Sequence, residues 1–177
     1  AGKVGSVAWA ADGRTLFYTV EEESTKRQYR LYRHRLGNDA HALVYEEADL
    51  AFNVGVYRTR SLAYLVLGVS SLTTGEARFL PADEPLGEWR LVAPRIAEQE
   101  YDVDHHGAVF YVRANDTGRN FRLVKAPVAS PGRESWTEVV PGRPDVYLED
   151  VALLRDQLVI EERRDGLIRL RVRPWRD

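Results

Sequence analysis

Not one of the 177 residues is cysteine. That absence excludes a disulfide framework, a thiolate metal site and a cysteine nucleophile. It fits a reducing compartment, and the expected address is cytoplasmic. No apolar run reaches the ~18 residues of a membrane-spanning helix, so no membrane partner is expected. Charge of neither sign dominates: 25 Lys and Arg face 27 Asp and Glu, for a formal net charge of −2. Nucleic-acid binding needs a basic surplus, so nucleic acid is not expected as a partner either. The first residues, Ala1-Gly2-Lys3-Val4, include no starting Met and no basic stretch followed by an apolar one. This reads as no signal peptide and suggests an excised or processed segment. Helix-period stretches and low-complexity linkers are lacking as well.

What the sequence does contain is a repeat of 47 residues, with copies beginning at Val7, Val54, Tyr101 and Leu148. A period near that length built from short β-type runs points to propeller blades rather than helical arrays. The second segments of the repeats are Leu16-Phe17-Tyr18-Thr19-Val20, Leu62-Ala63-Tyr64-Leu65-Val66, Val109-Phe110-Tyr111-Val112 and Leu158-Val159-Ile160. They are rich in β-branched and aromatic residues and too short for helices, which predicts buried strands. Asp12-Gly13-Arg14 and His106-Gly107 supply tight turns before two of them. The third segments share an apolar-Arg-apolar triplet at Tyr29-Arg30-Leu31, Ala77-Arg78-Phe79, Phe121-Arg122-Leu123 and Ile168-Arg169-Leu170. Strand alternation places the apolar pair on one face, against a neighbouring blade, and the arginine on the other. Fourth segments are present at Leu43-Val44-Tyr45, Trp89-Arg90-Leu91-Val92 and Trp136-Thr137-Glu138-Val139-Val140, and the fourth unit has none.

The expected fold is therefore all-β: a partial β-propeller of three four-stranded antiparallel blades plus an incomplete fourth. The chain reads as one array over 1–177, with blades at roughly 4–50, 51–97, 98–144 and 145–177. Surface scaling predicts that roughly 70% of the unfolded chain's surface is buried in one compact domain of this mass. A propeller closes by packing its last blade on its first, and an array of this size would leave two apolar flanks exposed. The chain is expected to belong to a longer propeller, and alone to self-associate through those flanks or its edge strands.

The candidate chemistry is sparse. Gly68-Val69-Ser70-Ser71-Leu72 is the nearest approach to a Gly-x-Ser-x-Gly nucleophile elbow, but it lacks the second glycine and lies in an alternating strand region, so Ser70 reads as a solvent-facing strand serine. Asp102, Asp104, His105 and His106 form the one cluster with acid-base or metal potential. Adjacent strand residues point to opposite faces, and no second cluster completes a ligand set, so a polar strand end entering the Gly107 turn is the better reading. His34 and His41 read as isolated surface residues. Glu21-Glu22-Glu23, Glu46-Glu47 and Glu161-Glu162 cannot face each other across a cleft as glycosidase carboxylates do, and read as solvated strand ends and turns. Tyr18, Tyr64 and Tyr111, like Trp89 and Trp136, recur at equivalent repeat positions and read as packing residues. No catalytic, cofactor-binding or metal residue is assigned, and no cofactor is expected.

Landmarks along nearly the whole chain resemble the oligopeptidase B branch of the prolyl oligopeptidase family of serine peptidases. They are Val7-Ala8-Trp9-Ala10 with Asp12-Gly13-Arg14-Thr15-Leu16, Tyr32-Arg33-His34-Arg35-Leu36-Gly37, Val44-Tyr45-Glu46-Glu47, Glu100-Tyr101-Asp102-Val103-Asp104-His105, Arg113-Ala114-Asn115 with Asn120-Phe121, and Glu161-Glu162-Arg163 with Gly166-Leu167. The resemblance implies a seven-bladed propeller that caps a C-terminal α/β-hydrolase domain, keeps folded proteins out and admits short peptides, cleaved after Lys or Arg. This chain would be the middle part of that propeller. Its partners would be the hydrolase domain of the parent chain and, as the parent's substrates, short basic peptides. The chain by itself should be inactive. Polar residues on the innermost strands, Asn53, Asp102 and Asp104, are the candidates for lining the substrate channel. The alternative is a stand-alone propeller module that binds a protein through its rim.

Overall fold

In a computed structural model that describes residues 3–175, every regular element but one is a β-strand. The first sheet comprises β1 (Val4–Trp9), β2 (Thr15–Glu21), β3 (Gln28–Arg35) and β4 (His41–Glu46), hydrogen-bonded in that order. The second repeats the arrangement with β5 (Asn53–Arg58), β6 (Tyr64–Ser70), β7 (Gly75–Pro81) and β8 (Arg90–Ala93). The third is β9 (Tyr101–His106), β10 (Val109–Ala114), β11 (Arg122–Pro127) and β12 (Thr137–Val140), with a 3-10 turn at Arg133–Ser135 before the last strand. The fourth has three strands, β13 (Tyr147–Leu153), β14 (Gln157–Arg164) and β15 (Leu167–Pro174). All pairings are antiparallel between consecutive strands, as in propeller blades. The chain divides into two compact units, Ala1–Glu98 with the first two sheets and Gln99–Asp177 with the other two.

The turns follow from local chemistry. Asp12 closes the β1–β2 hairpin, its Oδ1 accepting from the amides of Arg14 and Thr15 at 2.9 and 2.8 Å and its Oδ2 from the Thr15 hydroxyl at 2.7 Å. Asp165 and Gly166 both have positive φ, 52° and 78°, the condition for a two-residue hairpin turn between β14 and β15. One boundary differs from the sequence reading. Leu62 and Ala63 lie ahead of β6, because Thr59 closes a turn in which Leu62 takes φ 61° and its amide bonds the Thr59 carbonyl at 2.8 Å. Phe121 likewise has φ 58° and precedes β11, yet it is buried.

Burial falls mainly on the inner strands of each sheet. Phe17, Leu31, Leu65, Leu67, Val69 and Leu80 are fully buried in the first unit, and Leu123, Leu158 and Ile160 in the second. Each such side chain contributes about 1.5–3 kcal/mol of transfer free energy. The triplet rule holds in three sheets. Leu31, Ala77, Phe79, Phe121 and Leu123 are covered, while Arg30 pairs with Glu46, Arg78 with Glu76, and Arg122 with Asp116. In the fourth sheet the same positions are bare: Ile168 is 53% and Leu170 67% exposed. No further sheet lies against them among the described residues. Each complete sheet also carries a register slip at its triplet, between Leu31 and Tyr32, Ala77 and Arg78, and Leu123 and Val124. A bulge there increases the twist of the outermost strand pair.

In the first three sheets a polar side chain just ahead of the third strand clasps the linker that leaves the sheet. Arg27 Nη1 donates to the carbonyls of Glu47, Asp49 and Phe52 at 3.2, 2.9 and 3.0 Å. Thr74 Oγ1 accepts from the Glu98 amide at 2.9 Å. Asn120 Nδ2 donates to the carbonyls of Arg143 and Pro144, both at 2.8 Å. These bonds satisfy backbone groups in segments that have no ladder partner. Arg27→Ala should destabilise the chain by about 3 kcal/mol, because buried carbonyls lose a charged donor. Arg155→Ala, which removes a side chain 95% exposed, should change stability by less than about 0.5 kcal/mol. Urea unfolding of both variants checks the contrast.

Candidate functional site

The sequence candidates lie on the first strands of their sheets. Asn53 begins β5 and is exposed, and its Oδ1 accepts from the Gln28 amide at 3.3 Å. That bond ends a polar ladder across the first unit. Thr19 Oγ1 donates to Gln28 Oε1 at 3.1 Å, the Ser6 and Thr19 hydroxyls meet at 3.0 Å, and Ser6 Oγ accepts from the Val56 amide at 2.8 Å. Gly5 completes it, since a Cβ there would collide with the Gln28 side chain. Asn53 thus helps dock the second sheet on the first.

Asp102 and Asp104 lie on one face of β9, with Tyr111 and Arg113 as their cross-strand partners. That face looks toward the fourth sheet. Arg113 Nη1 pairs with Asp102 at 2.7 Å while its Nε donates to the Leu148 carbonyl at 2.9 Å, and its guanidinium stacks 3.8 Å from the Phe121 ring centroid. The Asp102 side chain remains 74% exposed. Asp104 is half-buried and accepts from the His105 amide at 2.8 Å. His106 stacks on Trp175 at 4.2 Å and is hydrogen-bonded to the Arg155 carbonyl at 3.1 Å. His105 points the other way and is buried, 5.6 Å edge-on to Phe110. The two histidines diverge as strand alternation requires, and Gly107, at φ +64°, makes the turn. Ser70 is an exposed strand residue opposite Asn53 and Gly75. Among the described residues no group of three or more His, Asp or Glu is placed to hold a metal ion.

Two sequence expectations change. Glu47 is not a solvated strand end but sits 6% exposed in an ionic network. Its carboxylate accepts from Arg95 Nη2 at 2.7 Å, the Tyr45 hydroxyl at 2.8 Å and the Asp49 amide at 2.9 Å. Arg95 also reaches buried Glu76 at 3.4 Å and stacks 4.1 Å from the Phe52 ring centroid. Adjacent Glu46 stays outside, paired with Arg30. The second change concerns His34 and His41, which are not isolated. They are direct cross-strand partners, their rings stack at 4.4 Å, and His41 Nδ1 lies 2.7 Å from the Tyr18 hydroxyl. The signal was present in the sequence: the two residues lie symmetrically about the turn at Gly37-Asn38.

Titration follows from these environments. Burial alone would push the Glu47 carboxyl up, but the bonds from Arg95, Asp49 and Tyr45 together hold it below the ordinary value. Burial, then the bond to Glu47, pushes the Tyr45 phenol up to about 12. Asp116 follows Glu47: burial raises it, and Arg122, bonded at 2.7 and 2.9 Å, more than reverses that. Burial, ahead of the opposing charge of Asp104, lowers the His105 imidazole.

Antiparallel sheets, three of four strands and one of three, with clasped linkers define a β-propeller portion. The chain matches the model of the prolyl oligopeptidase N-terminal β-propeller domain over residues 2–177. It belongs to that family. It is 38% identical over 170 residues to a dipeptidyl aminopeptidase BI of Pseudoxanthomonas mexicana, covering 94% of this chain and 23% of that protein. Over 168 residues it is 32% identical to protease 2 of Moraxella lacunata, covering 94% of this chain and 24% of that protein. Among solved structures, oligopeptidase B from Leishmania major superposes with a TM-score of 0.87 at 30% identity, over 96% of this chain and 24% of that one. The chain thus spans about a quarter of the length of these relatives. The oligopeptidase B-type resemblance and the propeller fold are both borne out. No helix among the described residues is long and apolar enough to cross a membrane.

The pH dependence has a definite sign. The depressed carboxyls contribute stability that is complete above their ordinary values of 4.5 and 3.8 and is lost as pH falls through the folded values. His105 is lowered from 6.5, so as pH falls the unfolded chain takes up this proton before the folded one does; its contribution is complete above pH 6.5 and is lost as pH falls from there through the folded value. Thermal unfolding should therefore show Tm declining in two stages on acidification. His105→Gln should remove the upper stage, and a flat Tm from pH 7 to pH 5 in the unmutated chain would contradict this reading.

Proposed function

We propose that this chain is the middle part of a seven-bladed propeller in an oligopeptidase B-like serine endopeptidase, and that it serves as the gate of that enzyme. The observation that carries the reading is the family match over residues 2–177, in a chain about a quarter as long as its peptidase relatives. Hydrolysis falls to an α/β-hydrolase domain elsewhere in the longer protein. There a serine attacks the scissile carbonyl with a histidine as base and an aspartate orienting it. None of those roles is assigned in this chain, whose one Gly-x-Ser stretch runs along β6 rather than through a strand-to-helix elbow.

The gate acts by size and by charge. Stacked, close-packed blades are rigid, so a narrow passage admits a short extended peptide and rejects a folded protein. Asn53, Asp102 and Asp104 line the passage. The exposed carboxylate of Asp102 raises the local concentration of peptides carrying Lys or Arg, although its pairing with Arg113 reduces the net field. The bare flanks at either end of the array are covered by further blades in the longer protein, and by second copies of the chain when it stands alone.

The 177-residue chain, given Arg-containing peptides, should show no turnover, and measurable cleavage abolished by a serine-directed inhibitor would overturn the assignment. In the longer enzyme, Asp102→Asn together with Asp104→Asn should raise KM for Lys- or Arg-containing peptides several-fold with kcat unchanged. The difference should shrink as salt rises, because exposed charges are screened over about 10 Å at 0.1 M ionic strength. An unchanged KM at low salt would remove the electrostatic part of the gate.

A further inference from the structure

Between the β10–β11 loop and the linker from β12 to β13 lies a hollow of about 420 Å³, lined by residues 117–121 on one side and 142–144 on the other. All of these residues lie outside the strands, so the hollow opens at the strand ends rather than on a sheet face. Its walls are fixed from within. Asn120 Nδ2 ties the linker carbonyls of Arg143 and Pro144, both at 2.8 Å, and the Asn120 carbonyl accepts from the Leu148 amide at 2.9 Å. Phe121 takes φ 58°, its ring buried and stacked under the Arg113 guanidinium. At Gly142 a Cβ would stand 3.4 Å from the Phe121 carbonyl oxygen and 3.7 Å from Thr117 Oγ1, so glycine keeps this wall clear. The shape is in place before any ligand arrives, which lowers the ordering cost of binding.

Its charge is of one sign. Two guanidiniums line the hollow and no carboxylate does. Arg119 is exposed and has neither a hydrogen bond nor an ion pair among the described residues. Arg143 is only partly neutralised, because Glu162 Oε1 accepts from Arg143 and Arg171 alike at 2.6 Å, one carboxylate between two cations. The acids next to the hollow in sequence are committed elsewhere, Asp116 to Arg122 at 2.7 Å and Asp145 to Arg164 at 3.2 Å. The backbone amides of Arg119 and Asn120 also lack an acceptor among the described residues. Guanidinium forks and free amides bind oxyanions through charge-assisted hydrogen bonds, and the fork matches a carboxylate in bidentate fashion. We propose that this hollow is a docking site for an acidic peptide segment, whose side-chain carboxylates pair with Arg119 and Arg143. The volume lies within the ~300–1,000 Å³ usual for ligand sites, more than a lone carboxylate fills, so part of the segment's backbone enters as well. The Pro144 ring and the arginine stems give that backbone an apolar wall. The inference stands apart from the gate, since the charge it selects is opposite to that of the basic peptides drawn by Asp102.

The test is a titration of the 177-residue chain with a blocked peptide that carries two glutamates between glycines, followed by NMR at low salt. The peptide should shift the backbone amides of Arg119 and Asn120 and the side-chain Nε–H signals of Arg119 and Arg143. The counterpart with glutamines should shift none of them, and binding of the acidic peptide should weaken as salt rises. Arg119→Gln should weaken binding about tenfold, the size of one charge-assisted pair, and the variant should fold because Arg119 has no internal partner. Arg143→Gln should weaken it too, with Glu162 still held by Arg171. Arg155→Gln, which removes an exposed charge outside the hollow, should bind as the unmutated chain does. Inorganic phosphate should bind more weakly than the acidic peptide. Unchanged affinity in Arg119→Gln, equal binding of the glutamine peptide, or tighter binding of phosphate than of the peptide would overturn the proposal.

Discussion

Each sheet of this chain is apolar on faces that water cannot be allowed to reach, so no sheet can stand without a neighbour. That single constraint organises the rest. In the first unit Phe17 and Leu31 of one sheet and Val54, Leu65 and Leu67 of the next form one buried cluster. In the second unit Phe121 and Leu123 share a cluster with Leu148, Leu158 and Ile160. The linkers between sheets must then run across a dry boundary, and their carbonyls need donors. Arg27 and Asn120 supply them, while the Thr74 hydroxyl takes a linker amide at the equivalent place. The Glu47–Arg95–Glu76 network belongs to the same boundary, with Arg95 on the linker that follows β8. Removing Arg95 would leave two buried carboxylates uncompensated, the situation in which a buried pair matters most.

Much of this was legible in the sequence because the repeat constrains it from several directions at once. The 47-residue period, the short β-branched segments and the apolar-Arg-apolar triplets all point to the same four sheets, and the missing fourth segment marks the three-stranded one. What escaped were features that depend on three dimensions. Arg27 looks like any loop arginine until the 47–52 linker folds over it. Glu47 and Glu46 are neighbours in sequence, yet only one faces the dry boundary, because successive strand residues point oppositely. Phe121 and Leu62 read as strand residues from their apolar character, while each itself takes positive φ in the turn ahead of its strand.

The site candidates show where such reading ends. Asn53, Asp102 and Asp104 read from the sequence as polar residues on first strands, and they do occupy those strands. The contacts of two of them also join adjacent sheets: Asn53 through Gln28, and Asp102 through Arg113 to the Leu148 carbonyl. Docking does not bury the whole side chain: that of Asp102 remains 74% exposed. The His34–His41 pair escaped for the opposite reason. Seven residues of separation look like isolation until the hairpin brings the two rings face to face.

The same constraint bears on the outer faces of the first and fourth sheets. The first sheet carries Val4, Val7 and Leu43, each at least 50% exposed, and the fourth carries Ile168, Leu170 and Val172, each above 50%. Single exposed apolar residues are ordinary, but rows of them on sheet faces call for a covering partner. Light scattering of the isolated chain across a concentration series tests this most directly. The account predicts association that grows with concentration and is reversed by Leu170→Glu combined with Val7→Glu. A clean monomer at high concentration would contradict it.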